Sequence, residues 1–254
     1  MILNKKKFGI HFIKLKVNIT FVTFIKLIIM SGFLSSSVGR KVAMALSALF
    51  LIFFLIIHLA VNITSLFSES VFNELSHFMG TNPLIQFALQ PVLIFGVVFH
   101  FVMGLVLEVR NKGARKEKYV KYDGAANATW MSRNMILSGG VILVFIGLHF
   151  YDFWFPELNT KYLQGDMSGL LADGEGFRYY EELTHKFLSP VRVGIYVVAF
   201  ILLALHLLHG FQSAFQSIGF NNKYTKWVKS LGTIYSIVIP LGFIIIALYH
   251  HFNH

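Results

Sequence analysis

Hydrophobic positions along the chain gather into five long runs, and polar positions fill the segments between them. Crossing a bilayer takes about 20 predominantly apolar residues of α-helix, at ~1.5 Å rise each. Residues 42–66 form the first such run and are nearly unbroken. Residues 84–107 form the second, with Pro91 near its start, where a first-turn proline is tolerated. The third covers 135–155 and is expected to stop at Pro156; the fourth covers 190–215, with Pro190 at the first helical position. The fifth covers 231–249, and Pro240 inside it predicts a kink. A membrane barrel would instead alternate in segments of about ten residues. The pattern predicts an all-α membrane protein, a bundle of five transmembrane helices.

Charge gives the runs a direction. Residues 1–41 hold Lys5, Lys6, Lys7, Lys14, Lys16, Lys26, Arg40 and Lys41 and no acid. The segment after the first run carries only Glu69 and Glu74. The next is basic, with Arg110, Lys112, Arg115, Lys116, Lys118, Lys121 and Arg133. The long segment between runs three and four is acidic, and the last one returns Lys223, Lys226 and Lys229. Basic loops stay on the cytoplasmic side, so the N-terminus is expected inside and the C-terminus outside.

Composition narrows the classes further. Charged residues make up 13% of the chain, about half the share of a soluble domain. The formal surplus of +10 sits in alternate loops, so it reads as a topology signal, and nucleic acid is not an expected partner. There is no cysteine, which excludes disulfides, thiolate metal sites, Cys-ligated iron–sulfur clusters and Cys nucleophiles. Residues 1–30 mix lysines into an apolar background and lack the core of a signal peptide. They are expected to be a basic interfacial helix, or translation starts at Met30; residues 31–254 form the membrane domain.

Eleven histidines are present. His11, His250, His251 and His254 lie near chain ends, and His77 and His185 in outer segments, where no chemistry is required of them. His58, His100, His149, His206 and His209 lie inside apolar runs, where ionisable residues are expensive and point to function. His58 lies late in an outward-going helix, roughly 12 Å from its outer end. His149 is also near the outer side, whereas His100 and His206 fall in the inner halves of inward-going helices. The four sort into an outer pair, His58 with His149, and an inner pair, His100 with His206 or its neighbour His209. Two bis-histidine sites stacked across a bilayer suit a dihaem electron carrier, since imidazole is a common axial ligand of haem iron. A zinc or di-iron site would need ligands converging at one depth, usually with carboxylates, and no Glu-x-x-His occurs in the runs.

The segments around these histidines carry a resemblance. HLAVN at His58, FNELSHFMG at 72–80, VFHFVMG around His100, GLHFYDFW around His149 and LHLLHGFQSAF around His206 follow in order, four of them on successive helices. In this the chain resembles the five-helix, dihaem cytochrome b membrane anchor of succinate dehydrogenase and fumarate reductase complexes. The likeness is strongest to the single-polypeptide type of menaquinone-using bacteria and runs from about residue 31 to the C-terminus. It implies a bundle holding two haem b groups on His58, His100, His149 and His206, with His206 as the fourth ligand through its His-x-x-x-Gly pattern. It further implies the bacterial cytoplasmic membrane, a quinone-reactive subunit with no dicarboxylate chemistry of its own, and menaquinone as electron partner. A flavoprotein subunit and an iron–sulfur subunit would dock on the cytoplasmic face, against residues 31–41 and the loop at 110–133.

Haem propionates and quinone carbonyls need donors. Arg192 opens the fourth run on the outer side, and Arg133 with Trp130 opens the third on the inner side; each is a candidate propionate partner. Glu74 and His77, in the outer segment after the first run, are the candidate quinone-site residues, since quinone reduction takes up protons. One departure stands out. Some relatives carry a membrane Glu two residues before the fourth-helix ligand, and here that position is Ala204, with His209 one turn away as a substitute. Two rival readings remain: a haem-free transporter using a histidine proton relay, and the haem b anchor of another quinone-linked dehydrogenase.

Overall fold

The computed structural model describes residues 32–113, 134–171, 174–220 and 222–253. The N-terminal extension at 1–30, Trp130, Arg133 and most of the loop at 110–133 lie outside the described residues. Seven helices organise what is described: α1 (Ser37–Ile63), α2 (Glu69–Thr81), α3 (Gln90–Gly113), α4 (Met135–His149), α5 (Tyr179–Phe187), α6 (Pro190–Ser217) and α7 (Thr225–Phe252). Among the described residues there is no strand, only an isolated antiparallel bridge between Leu170 and Phe177. Five helical stretches are long and apolar enough to cross a membrane: Ser37–Leu66, Ile85–Gly113, Met135–Leu163, Pro190–Ser217 and Thr225–Phe252. This is a multi-pass helical membrane architecture.

The chain divides into two compact units, Met1–Ala43 and Met44–His254. In the first, Arg40 is buried and its guanidinium donates to the carbonyls of Leu34 (3.0 Å) and Ser35 (2.5 Å). In the second, α6 packs on α7 and α4, and α3 packs on α4. The Tyr235 hydroxyl donates to the Ile52 carbonyl at 2.7 Å and ties α7 to α1. Large apolar side chains such as Phe53, Val144, Val191 and Ile237 stay on the outside of these helices. That is where hydrocarbon rather than protein would cover them.

The buried core lies at the junction of five helices. Leu59, Phe72, Leu183, Phe187, Val193, Tyr196, Phe200, Phe243 and Ile246 gather where α2 and α5 meet α1, α6 and α7. Both short helices lie in segments the hydrophobic pattern leaves as loops. Ser68 caps α2 by accepting from the Val71 amide (3.3 Å), and Asn73 accepts from the Tyr180 amide (2.8 Å) to join α2 to α5. Ser189 caps α6 in the same way, with Pro190 at its first position.

Prolines mark the departures from simple helix. The third span does not stop at Pro156; it continues to Leu163 through a π turn at Phe150–Trp154, a short α segment at Phe155–Leu158 and a second π turn at Asn159–Leu163. The second span likewise begins before Pro91, with a π turn at Ile85–Leu89. Each of these prolines lies two residues beyond the last residue of a π turn, whose wider loop makes room for a ring that cannot donate to the preceding turn. Pro240 is buried within α7, which runs through it as one helix.

Candidate functional site

Four helices each contribute one of the membrane histidines, and their rings meet in two pairs. His58 of α1 faces His149, the last residue of α4, with ring centroids 5.7 Å apart and planes at 84°. His100 of α3 faces His206 of α6 at 6.4 Å and 67°. Among the described residues, the ring paired with His100 is His206; His209 lies one turn further along α6. All four rings are half-buried.

Around the first pair the walls are aromatic. Phe54 stacks on His58 at 5.2 Å and Phe243 tilts against it at 5.4 Å. Phe145, Phe153 and Tyr196 lie 6.2, 5.2 and 6.5 Å from His149. The Asn62 amide donates to the His58 carbonyl (2.7 Å) and lies 3.4 Å from Nδ1. The second pair has hydroxyl neighbours instead. Ser47 Oγ is 3.1 Å from His100 Nδ1, and Ser138 Oγ is 3.2 Å from His206 Nδ1.

Three helices carry residues of both pairs, so they measure the distance between them. Ser47 precedes His58 by eleven residues in α1, and Ser138 precedes His149 by eleven in α4. Tyr196, against His149, precedes His206 by ten in α6. A rise of ~1.5 Å per residue puts the two levels about 15 Å apart along the helices. Eleven residues are close to three full turns, so each Ser and its following His share a face. Neither serine is marked by the hydrophobic pattern, and neither is titratable. The repeated Ser-x10-His spacing is the signal that marks them.

Next to the first pair lies a buried ion pair. Asp152, 1% exposed within the first π turn of the third span, accepts from Arg192 Nη1 at 2.5 Å and from the Tyr196 hydroxyl at 2.7 Å. Arg192 therefore spends one guanidinium nitrogen on Asp152, which in turn accepts from Tyr196, whose ring lies 6.5 Å from that of His149. Glu74 and His77 both lie on α2 and are not brought to the histidine pairs. Glu74 is exposed, with Ser70 at 3.5 Å. His77 stacks on Phe177 at 4.0 Å and lies 3.4 Å from the Tyr179 hydroxyl, against Gly169, whose φ of 66° and close approach leave no room for a side chain.

A charged cluster continues from there. Glu157 pairs with Lys161 (2.6 Å) and Arg178 (2.5 Å), Arg178 also pairs with Glu182 (2.5 Å), and Lys161 donates to the Gly80 carbonyl. Burial alone would lower the Arg178 guanidinium, but its bonds to Glu157 and Glu182 outweigh that and raise it. Burial raises the Glu182 carboxyl against the pull of Arg178, and burial together with the Glu157 charge pushes the Tyr179 phenol up to about 12. His250, placed by sequence among chain-end residues with no role, is 2% exposed and bonds Ser65 Oγ at 2.9 Å. His251 Nδ1 donates to the Phe187 carbonyl at 2.8 Å, so together they fasten the end of α7.

No group of three or more His, Asp or Glu converges as a metal site among the described residues; the membrane ligand candidates come as pairs. No protein-family model, curated protein or solved structure matches the chain.

Proposed function

We propose that this chain is the membrane-anchor and electron-transfer subunit of a succinate:menaquinone oxidoreductase of the succinate dehydrogenase/fumarate reductase type. The observation that carries the reading is the meeting of four membrane histidines, from four helices, in two facing pairs about 15 Å apart. Ring centroids 5.7 and 6.4 Å apart would let each pair share one metal, and a donor set of two imidazoles without carboxylates suits haem iron. His58 with His149, and His100 with His206, would each hold one haem b. Haem b, when bound, supplies reversible one-electron transfer.

The chain's own residues supply position and environment. Phe54, Phe145, Phe153 and Phe243 keep the first pair in apolar surroundings, which favours a bound group over water. Arg192, fixed by Asp152, would have its remaining donors for an anionic propionate. Glu74 and His77 sit on α2, away from the histidine rings, and a quinone role for them would lie at that end of the bundle. The alternation of basic and acidic loops supports an N-terminus on the inner side, and the bacterial cytoplasmic membrane is what the resemblance implies. There a flavoprotein and an iron–sulfur subunit would dock on the basic face.

The test is spectroscopic. Membranes containing the chain, solubilised and purified, are expected to show a dithionite-reduced b-type spectrum with two haems per polypeptide. They are also expected to co-purify a flavoprotein. A chain without haem would support the histidine-relay transporter instead, and a nickel or molybdenum partner would move it to a different dehydrogenase.

A further inference from the structure

The second histidine pair differs from the first in what holds its Nδ1 atoms. Ser47 Oγ lies 2.8 Å from the Met44 carbonyl and Ser138 Oγ lies 3.0 Å from the Met135 carbonyl, each donating its hydroxyl proton one turn back along its own helix. A serine hydroxyl has a single proton to give. With that proton committed to a carbonyl, the contacts at 3.1 and 3.2 Å require the imidazole to donate: Nδ1–H of His100 to Ser47, and Nδ1–H of His206 to Ser138. Both rings are thereby held as the Nδ1–H tautomer, with the Nε2 lone pair unprotonated. Among the described residues, neither ring of the His58–His149 pair has a hydroxyl partner.

We infer that Ser47 and Ser138 are positioning residues that fix the tautomer of His100 and His206 and raise the electron donation of both rings to whatever metal they share. The inference rests on the reading that this pair holds a haem. A ligand imidazole whose second nitrogen donates a hydrogen bond is more basic and stabilises the higher oxidation state of the metal. Each serine therefore lowers the reduction potential at this level and leaves the other level alone. The geometry also explains why the same spacing occurs in α1 and α4. Each of these helices uses one face to supply a ligand at one level and the orienting hydroxyl at the other.

The experiment compares Ser47→Ala, Ser138→Ala, the double variant, and the hydroxyl-retaining Ser47→Thr and Ser138→Thr, as full chains in their native membrane complex. Redox titration of the haem b absorption gives the midpoint potential of each haem. Each alanine variant is expected to shift one haem upward by a several-fold change in its oxidation equilibrium, tenfold being ~59 mV for one electron. The double variant should shift that haem further, the other haem should stay put, and threonine should restore the wild-type value. Two retained haems with unchanged potentials in both alanine variants would overturn the inference while leaving the proposed function standing. A wild-type chain that carries no haem would overturn the function and the inference with it.

Discussion

Asp152 and Arg192 give the sharpest energetic test of the bundle. The carboxylate is 1% exposed, while Arg192 is 28% exposed. Arg192→Ala leaves a buried carboxylate with the Tyr196 hydroxyl as its one remaining side-chain donor. Asp152→Ala leaves a guanidinium that still reaches the surface and a buried phenol hydroxyl without an acceptor. Removing one partner of a buried pair costs about 3–5 kcal/mol, and an orphaned hydroxyl about 1–3 kcal/mol of that kind. Partial solvent access at Arg192 puts Asp152→Ala near the lower figure, about 3 kcal/mol, and Arg192→Ala above it. The double variant removes both charges, so it should be less destabilised than the sum of the singles by roughly 2 kcal/mol or more. Thermal unfolding of the purified chain in detergent or nanodiscs reads this directly, at roughly 2–4 °C per kcal/mol for a chain of this size. Single losses that simply add, with coupling below about 0.5 kcal/mol, would refute the claim that the pair acts as a buried unit.

Other expectations follow from the same coordinates. His58→Ala or His149→Ala should remove one haem and leave the second; His100→Ala or His206→Ala should do the reverse, and His209→Ala should retain both, as read by haem content per chain. Lys161→Met should lower thermal stability by about 1–3 kcal/mol, since Lys161 is 2% exposed and its loss leaves Glu157 and the Gly80 carbonyl short of a donor. The Tyr179 phenol titrates higher in the folded chain than in the unfolded one, so its stabilising contribution is present below about pH 10 and is lost as pH rises through about 12. Melting temperature followed across that alkaline range should fall less steeply in Tyr179→Phe.

The five spans were legible because a bilayer imposes one long apolar period that nothing else in the chain imitates. Facing histidines were legible too, because depth is a linear coordinate: position along an alternating up-and-down helix fixes level without knowledge of packing. The rest depended on contacts distant in sequence. Asp152 reads as one acid in an acidic segment until Arg192 and Tyr196, forty and forty-four positions on, close around it. His250 reads as a terminal residue until Ser65, far upstream, bonds its Nε2. Helices α2 and α5 are not legible in the hydrophobic pattern because they are short and amphipathic, and their charges read as loop charges. Pro156 reads as a stop because a π turn, which makes room for it, leaves no compositional trace.

The spans also differ in how they tolerate a change of chain length. Between Ser47 and His58, and between Ser138 and His149, one inserted residue would turn one end about 100° against the other. Ligand and hydroxyl could then no longer face their partners together, so these stretches act as rulers of fixed length. The π turn at Phe150–Trp154 adds a second constraint, because it stores one residue more than an α turn needs and that slack is what seats Pro156. Losing a residue there would tighten the turn and press the Pro156 ring against the carbonyls behind it. The third span is thus gauged twice within a few residues, once by the distance from Ser138 to His149 and once by the width of the turn that follows.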